Sequence, residues 1–308
     1  MKIIISLNKR EQIYDYMSMG IHTYIIGGQY SFYSPYLMTI TEIQSLINQY
    51  PQCFFYVAVN ALYDQHLMDD LEQYIINLYK IGIKGIVFQD FGVLQIVKEH
   101  QLDLEMIYQP ETLNTNHATL ECLKDYGITG AFVSCVIPLE EQKLIKEKSS
   151  LPLIIQGHGV EYIAASKRHL LSNYKKASQL DFDETQCLTL QAHQSDYPFY
   201  VYEDKWGTHI FSKSRLYTLD LLNQLKDFDY WYIETMMMSD EEAIEIASLY
   251  SDALKSLEKG TYNKDIKDYM NLLYRLQTPL DRGFLFDQTV YKLEDMRKMD
   301  HEKSKSSY

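Results

Sequence analysis

Short β-rich runs alternate with segments of helical period along the first 260 residues, and this alternation constrains the fold more than any other feature. The runs are Lys2–Leu7, Thr23–Ile26, Phe54–Val59, Gly85–Phe88, Leu104–Tyr108, Gly130–Val133, Leu153–Gln156 and Tyr230–Ile233. Between them, Met68–Ile81, Phe91–His100, Thr115–Tyr126 and Leu139–Lys148 carry apolar residues at i, i+3, i+4 spacing. Strand followed by amphipathic helix, repeated, predicts parallel strands with helical crossovers. Eight runs suit a closed (β/α)8 TIM-like barrel, but a doubly wound open sheet has the same pattern, and periodicity alone does not separate them. Gly20-Ile21, Gly82-Ile83 and Gly127-Ile128 punctuate the rhythm, each Gly standing where a left-handed residue closes a helix before the next strand.

Residues 157–217 break the alternation. Phe199–Tyr202 and His209–Phe211 flank Lys205-Trp206-Gly207 and read as a hairpin, so the region is expected to be an insertion between the last two barrel strands. A helical pattern spans about Asp265 to Leu276, and His301–Tyr308 is polar and expected to be disordered. The expected organisation is a barrel over residues 1–260, with its insertion at about 157–217, and a C-terminal helix and polar tail over 261–308.

Hydrophobic residues make up 46% of the chain, enough for a large core and against global disorder. Met1–Ser6 is too short for a secretory apolar region, and no apolar run reaches membrane-spanning length, so a cytoplasmic protein without a membrane partner is expected. The 29 basic and 42 acidic residues give −13, which opposes general nucleic-acid binding and argues against a DNA partner. Lys167, Arg168, Lys175 and Lys176 nevertheless cluster, with Lys205, Lys213 and Arg215 downstream; a solvated loop face is the simplest explanation. Cys53, Cys122, Cys135 and Cys187 lie far apart, and His158, His169 and His193 fit no metal-ligand spacing, so neither metal nor cofactor is expected. G-x-S-x-G and H-E-x-x-H are absent, leaving enzymatic activity open.

In a barrel the C-terminal strand ends converge on one face. Asn60, Gln89, Asp90, Gln109 to Thr112, His158 and Glu234 occupy such ends and form the candidate site. Each has a plainer explanation. Asp90 can cap the helix after it, Asn60 can close a turn, and His158 can be satisfied by backbone partners. Ser239-x-x-Glu242 reads as a capping box and leaves Glu234 unexplained by local structure.

Gln156–Tyr174 reads Q-G-H-G-V-E-Y-I-A-A-S-K-R-H-L-L-S-N-Y and resembles the central signature of the collagenase-like U-thirty-two peptidase family. Tyr162 and His169 stand where that signature has cysteines. Asn60-Ala61-Leu62, Gln89-Asp90-Phe91-Gly92-Val93-Leu94 and Arg282-Gly283-Phe284 resemble further family motifs; Glu234-Thr235-Met236 lacks the arginine usual there. The resemblance favours the barrel over the open sheet. It implies a cluster-free subunit in prephenate-dependent hydroxylation of the tRNA wobble uridine to 5-hydroxyuridine, with tRNA and a longer paralogue as partners. A collagenase-like peptidase and a non-catalytic scaffold are the alternatives. On this reading His158, Glu234 and Asp90 are the catalytic candidates, and Asn60, Gln89, Glu111 and an inward-pointing Arg168 the substrate-binding ones.

Overall fold

Alternating inward and outward apolar residues give each strand two buried faces, and that is how the chain closes on itself. The computed structural model describes residues 1–191 and 198–287; His193 and the polar end His301–Tyr308 lie outside the described residues. The barrel strands are β1 (Lys2–Ser6), β2 (Thr23–Gly27), β3 (Phe54–Val59), β4 (Gly85–Phe88), β5 (Glu105–Tyr108), β6 (Gly130–Phe132), the first half of β7 (Leu153–Ser166) and β11 (Tyr230–Ile233). They pair in parallel in chain order, and β11 pairs with both β7 and β1, so the barrel is closed. Ile4, Ile25, Ala58, Val87, Ile107, Phe132, Ile154 and Tyr232 fill its interior. Their neighbours, such as Ile3, Ile5, Val57, Ile86 and Trp231, face the helices.

The surrounding helices are α1 (Ile13–Ser18), α2 (Ile40–Gln49), α3 (Met68–Lys80), α4 (Phe91–Glu99), α5 (His117–Tyr126) and α6 (Leu139–Lys148), followed beyond the insertion by α8 (Leu222–Leu225), α9 (Asp240–Glu258) and α10 (Tyr262–Leu276). Ser239 and Glu242 form the capping box that starts α9. Gly20, Gly82 and Gly127 have φ of +90°, +82° and +110°, the left-handed conformation their positions required.

The insertion carries α7 (Leu170–Ser178), β8 (Leu188–Leu190), β9 (Phe199–Asp204) and β10 (Gly207–Tyr217). The seventh strand does not end at Gln156. β7 runs on to Ser166 and pairs antiparallel with β10, from Thr208 opposite Ser166 to Tyr217 opposite His158. The two-residue turn Lys205-Trp206 joins β9 to β10. A short strand, β12 (Leu280–Asp281), adds to β10 and brings Arg282-Gly283-Phe284 alongside.

Candidate functional site

Strand period places Glu234 in the barrel mouth. Tyr230 and Tyr232 point inward from β11, and Glu234, two residues on, follows them. Its carboxyl is buried, with Oε1 accepting from Ser6 Oγ at 2.8 Å and from the Met236 amide at 2.9 Å, and Oε2 accepting from the Tyr232 hydroxyl at 2.7 Å. Burial raises its pKa despite the lowering effect of these hydrogen bonds.

Glu111 lies just beyond β5, on a backbone held at φ +57°. Its Oε1 accepts from the Tyr33 hydroxyl at 3.1 Å. The residue keeps some exposure, but protein surrounds its carboxyl, and that burial pushes the pKa up to about 8; Tyr33 opposes the rise and Glu234 adds to it. Glu161, inside the family-like signature, is the third acid. Burial first, then Asp281, pushes it up to about 8, and its Oε1 has no hydrogen-bond partner. It packs directly against Gly283, where a Cβ would lie 2.3 Å from Oε1. The Cys135 thiol is held protonated, chiefly by burial and then by Glu161 and Glu111. Glu111 and Glu161, each pushed up to about 8, therefore hold a proton far more readily than an ordinary carboxyl and can donate a hydrogen bond, whereas Glu234 accepts on both of its oxygens. Aromatic rings of Phe32, Tyr33, Tyr162 and Phe211 wall it.

The other sequence candidates divide. Asn60 is buried in the mouth, where its Oδ1 accepts from the Phe32 amide at 3.2 Å and its carbonyl oxygen accepts from Gln89 Nε2. The pair braces the segment that follows β2. Asp90 caps α4, taking the Gly92 amide at 2.8 Å on Oδ1, while Oδ2 accepts the Tyr63 amide at 3.0 Å. His158 is not brought to the mouth. β7 gains one residue against β11 here, since Gln156 pairs with Tyr232 but His158 with Ile233. Such a bulge exchanges the two faces of a strand, so His158 turns outward toward α9. Its Nδ1 lies 3.1 Å from the Tyr250 hydroxyl and its Nε2 2.7 Å from Gln277 Oε1. Burial, opposed by Gln277 and assisted by Arg215, lowers its pKa to about 4. Arg168, expected to point inward, is exposed, and its side chain makes no hydrogen bond or ion pair among the described residues.

Sequence reasoning missed Tyr33, Tyr232, Ser6 and Glu161. The density of aromatic residues in Tyr30–Tyr36 was the available signal for Tyr33. Among the described residues no three His, Cys, Asp or Glu side chains gather as a metal site. Cys53 is buried, Cys135 half-buried, and Cys122 and Cys187 exposed, a dispersed donor set that does not fit an iron–sulfur cluster. No described helix is long and apolar enough to cross a membrane.

This geometry belongs to a chain with recognisable relatives. It is 27% identical over 248 residues to tRNA hydroxylation protein P2 of Bacillus subtilis (strain 168), covering 77% of this chain and 80% of that one. Among solved structures, 2,3-dimethylmalate lyase, a PEP mutase/isocitrate lyase superfamily member, aligns with 98% of this chain and 94% of its own at 10% identity and a TM-score of 0.43. KGPDC from Streptococcus mutans aligns with 82% and 97% at the same identity and TM-score. The description of Peptidase family U32 matches residues 36–295, and the chain belongs to that family.

Proposed function

We propose that this protein takes part in tRNA hydroxylation and that its barrel mouth is the substrate site. The observation that carries this reading is the similarity to tRNA hydroxylation protein P2 across most of both chains. The mouth chemistry supports it. Glu234 and Glu111 offer buried, protonatable groups beside the Tyr33 ring, a setting for hydrogen-bonding a base and moving a proton. Glu234 and Glu111 are the acid–base groups in this reading, Asn60 and Gln89 position the loop above them, and Asp90 and His158 support the scaffold. The finer reading, prephenate-dependent formation of 5-hydroxyuridine at the wobble position with a longer paralogue as partner, rests on the family resemblance. The insertion, with Arg168 and Lys176, is the surface offered to tRNA.

A cysteine-peptidase reading needs a thiolate. The thiol beside the mouth acids, Cys135, is pushed the other way by burial and by Glu161 and Glu111. The deciding experiment is mass spectrometry of tRNA nucleosides from a strain lacking this protein, complemented with wild type or Glu234→Gln. Loss of a hydroxylated uridine, restored by wild type alone, is expected; an unchanged nucleoside profile overturns the reading.

A further inference from the structure

The space beside Glu234 is about 10 Å3, near the minimum for a single water molecule. No substrate reaches this carboxyl while the segment joining β2 to α2, residues 28–38, keeps its position. Other elements hold much of that segment down. Ser31 Oγ donates to the Ala58 carbonyl at 2.6 Å, and the Phe32 amide to Asn60 at 3.2 Å. From the insertion, Lys205 Nζ donates to the Gln29 carbonyl at 2.7 Å, and Trp206 Nε1 to the Ser31 carbonyl at 2.8 Å.

Tyr33 shows what the segment conceals. Its ring lies parallel to Tyr162, with centroids 5.7 Å apart at 13°, and meets Phe211 and Phe32 edge-on at 5.2 Å and 4.4 Å. At its polar end the hydroxyl donates to Glu111 and accepts from Gln109 Nε2 at 3.4 Å. Three of the four aromatic and acidic walls of this slot, Tyr162, Phe211 and Glu111, come from elements remote in sequence, so the slot persists when the segment leaves. We propose that Tyr33 is a removable occupant of a ring-binding slot, held in place by the Trp206 latch, and that the open slot takes a flat, uncharged ring of phenol size with a hydrogen-bonding edge. The proposal rests on the reading of the mouth as the substrate site. The segment, and not the hairpin, is the moving part, because β10 is laddered to β7 up to Ser166, beside the Lys205-Trp206 turn.

Two measurements on the full chain test it. Tyr33→Ala opens the slot, and p-cresol is the probe, followed by calorimetry and thermal melting. The variant should bind p-cresol and melt higher in its presence, wild type should do neither, and toluene should bind about tenfold more weakly because Glu111 and Gln109 lose their partner. A folded Tyr33→Ala that ignores p-cresol, or binds toluene equally well, overturns the slot. Trp206→Phe keeps an aromatic ring, smaller than indole, and deletes the N–H. Hydrogen exchange of amides in residues 28–38 should accelerate severalfold in this variant while the barrel strands stay protected. Unchanged exchange in both Trp206→Phe and Trp206→Ala overturns the latch, and this measurement decides alone if Tyr33→Ala does not fold. Neither readout involves tRNA, so failure here is distinct from failure of the hydroxylation reading.

Discussion

Tyr232 and Glu234 stand two residues apart on one side of the last barrel strand, and the tyrosine hydroxyl donates to the carboxyl at 2.7 Å. The same carboxyl takes Ser6 from the first strand, so it joins the two ends of the barrel's strand order at the mouth. Glu234→Gln keeps the shape but turns an acceptor into a donor facing a hydroxyl or amide donor. We expect a stability loss of about 1–3 kcal/mol, read by urea unfolding, and abolished tRNA modification in complemented cells. A variant that is stable and fully active would remove Glu234 from the mechanism.

Buried carboxyls should make stability depend on pH. Glu111 and Glu161 are pushed from 4.5 to about 8, so between those values the folded protein retains protons that the unfolded chain has released. Their contribution is complete below 4.5 and is lost as pH rises toward 8. His158, lowered from 6.5 to about 4, acts in the opposite direction and costs stability as pH falls through that window. Above pH 6.5 the carboxyls act without opposition from His158, and the melting temperature should fall by a few degrees toward pH 8. Glu161→Gln should flatten that decline, which differential scanning calorimetry across pH will show.

His158 should behave as a structural residue. His158→Ala leaves the Tyr250 hydroxyl and Gln277 without their imidazole partner, and we expect a loss of about 2–4 kcal/mol. Modified nucleoside normalised to folded protein should stay near the wild-type level. A selective collapse of modification in a well-folded variant would return His158 to the chemistry.

Gly157 should tolerate no side chain. A Cβ there would lie 1.6 Å from Trp231 Nε1, inside the packed wall between β7 and β11. Gly157→Ala is expected to cost more than about 4 kcal/mol or to prevent folding, with soluble yield and urea midpoint as the readouts.

Charge on the insertion is partly spent internally. Lys167 pairs with Asp64 at 2.5 Å and Lys175 with Glu184 at 2.6 Å, whereas Arg168 and Lys176 make no ion pair among the described residues. If tRNA docks here, Arg168→Ala with Lys176→Ala should lower the slope of log affinity against log salt by about 1.5, and the Lys167 and Lys175 pair should change it less. Melting should shift little, since exposed charges add little stability. An unchanged slope would place tRNA elsewhere.

The barrel was legible because its signals are local. Short β-rich apolar runs such as Phe54–Val59 and Gly85–Phe88 became β3 and β4 with those bounds, and the three Gly-Ile breaks fell at left-handed turns. Glu234 stood out once its neighbours were explained by a cap. What stayed hidden depends on register and on contacts between distant segments. One extra residue at Gly157 turns His158 from the mouth to the helix layer, and no periodicity in Leu153–Ser166 announces it. Arg168 belongs to the signature yet lies beyond the end of β7, where nothing draws its side chain inward. Tyr33 sits in a segment with no strand or helix, and its position is set by Tyr162, Phe211 and Glu111, at least 78 residues away in sequence by the Glu111 contact.

The 14 residues of β7 belong to two structures at once. Leu153 to Gln156 are a stave of the barrel, and the continuation to Ser166 is the spine of the insertion. The two parts share one backbone, bent at their junction by the bulge at Gly157 and the left-handed Gly159, whose φ is +112°. Force applied at the hairpin tip travels down one continuous backbone and arrives as torque at Gly157, the seam where the barrel closes on β11. A macromolecule gripping the prong would therefore pull on the barrel through this one bulged junction, right beside the mouth.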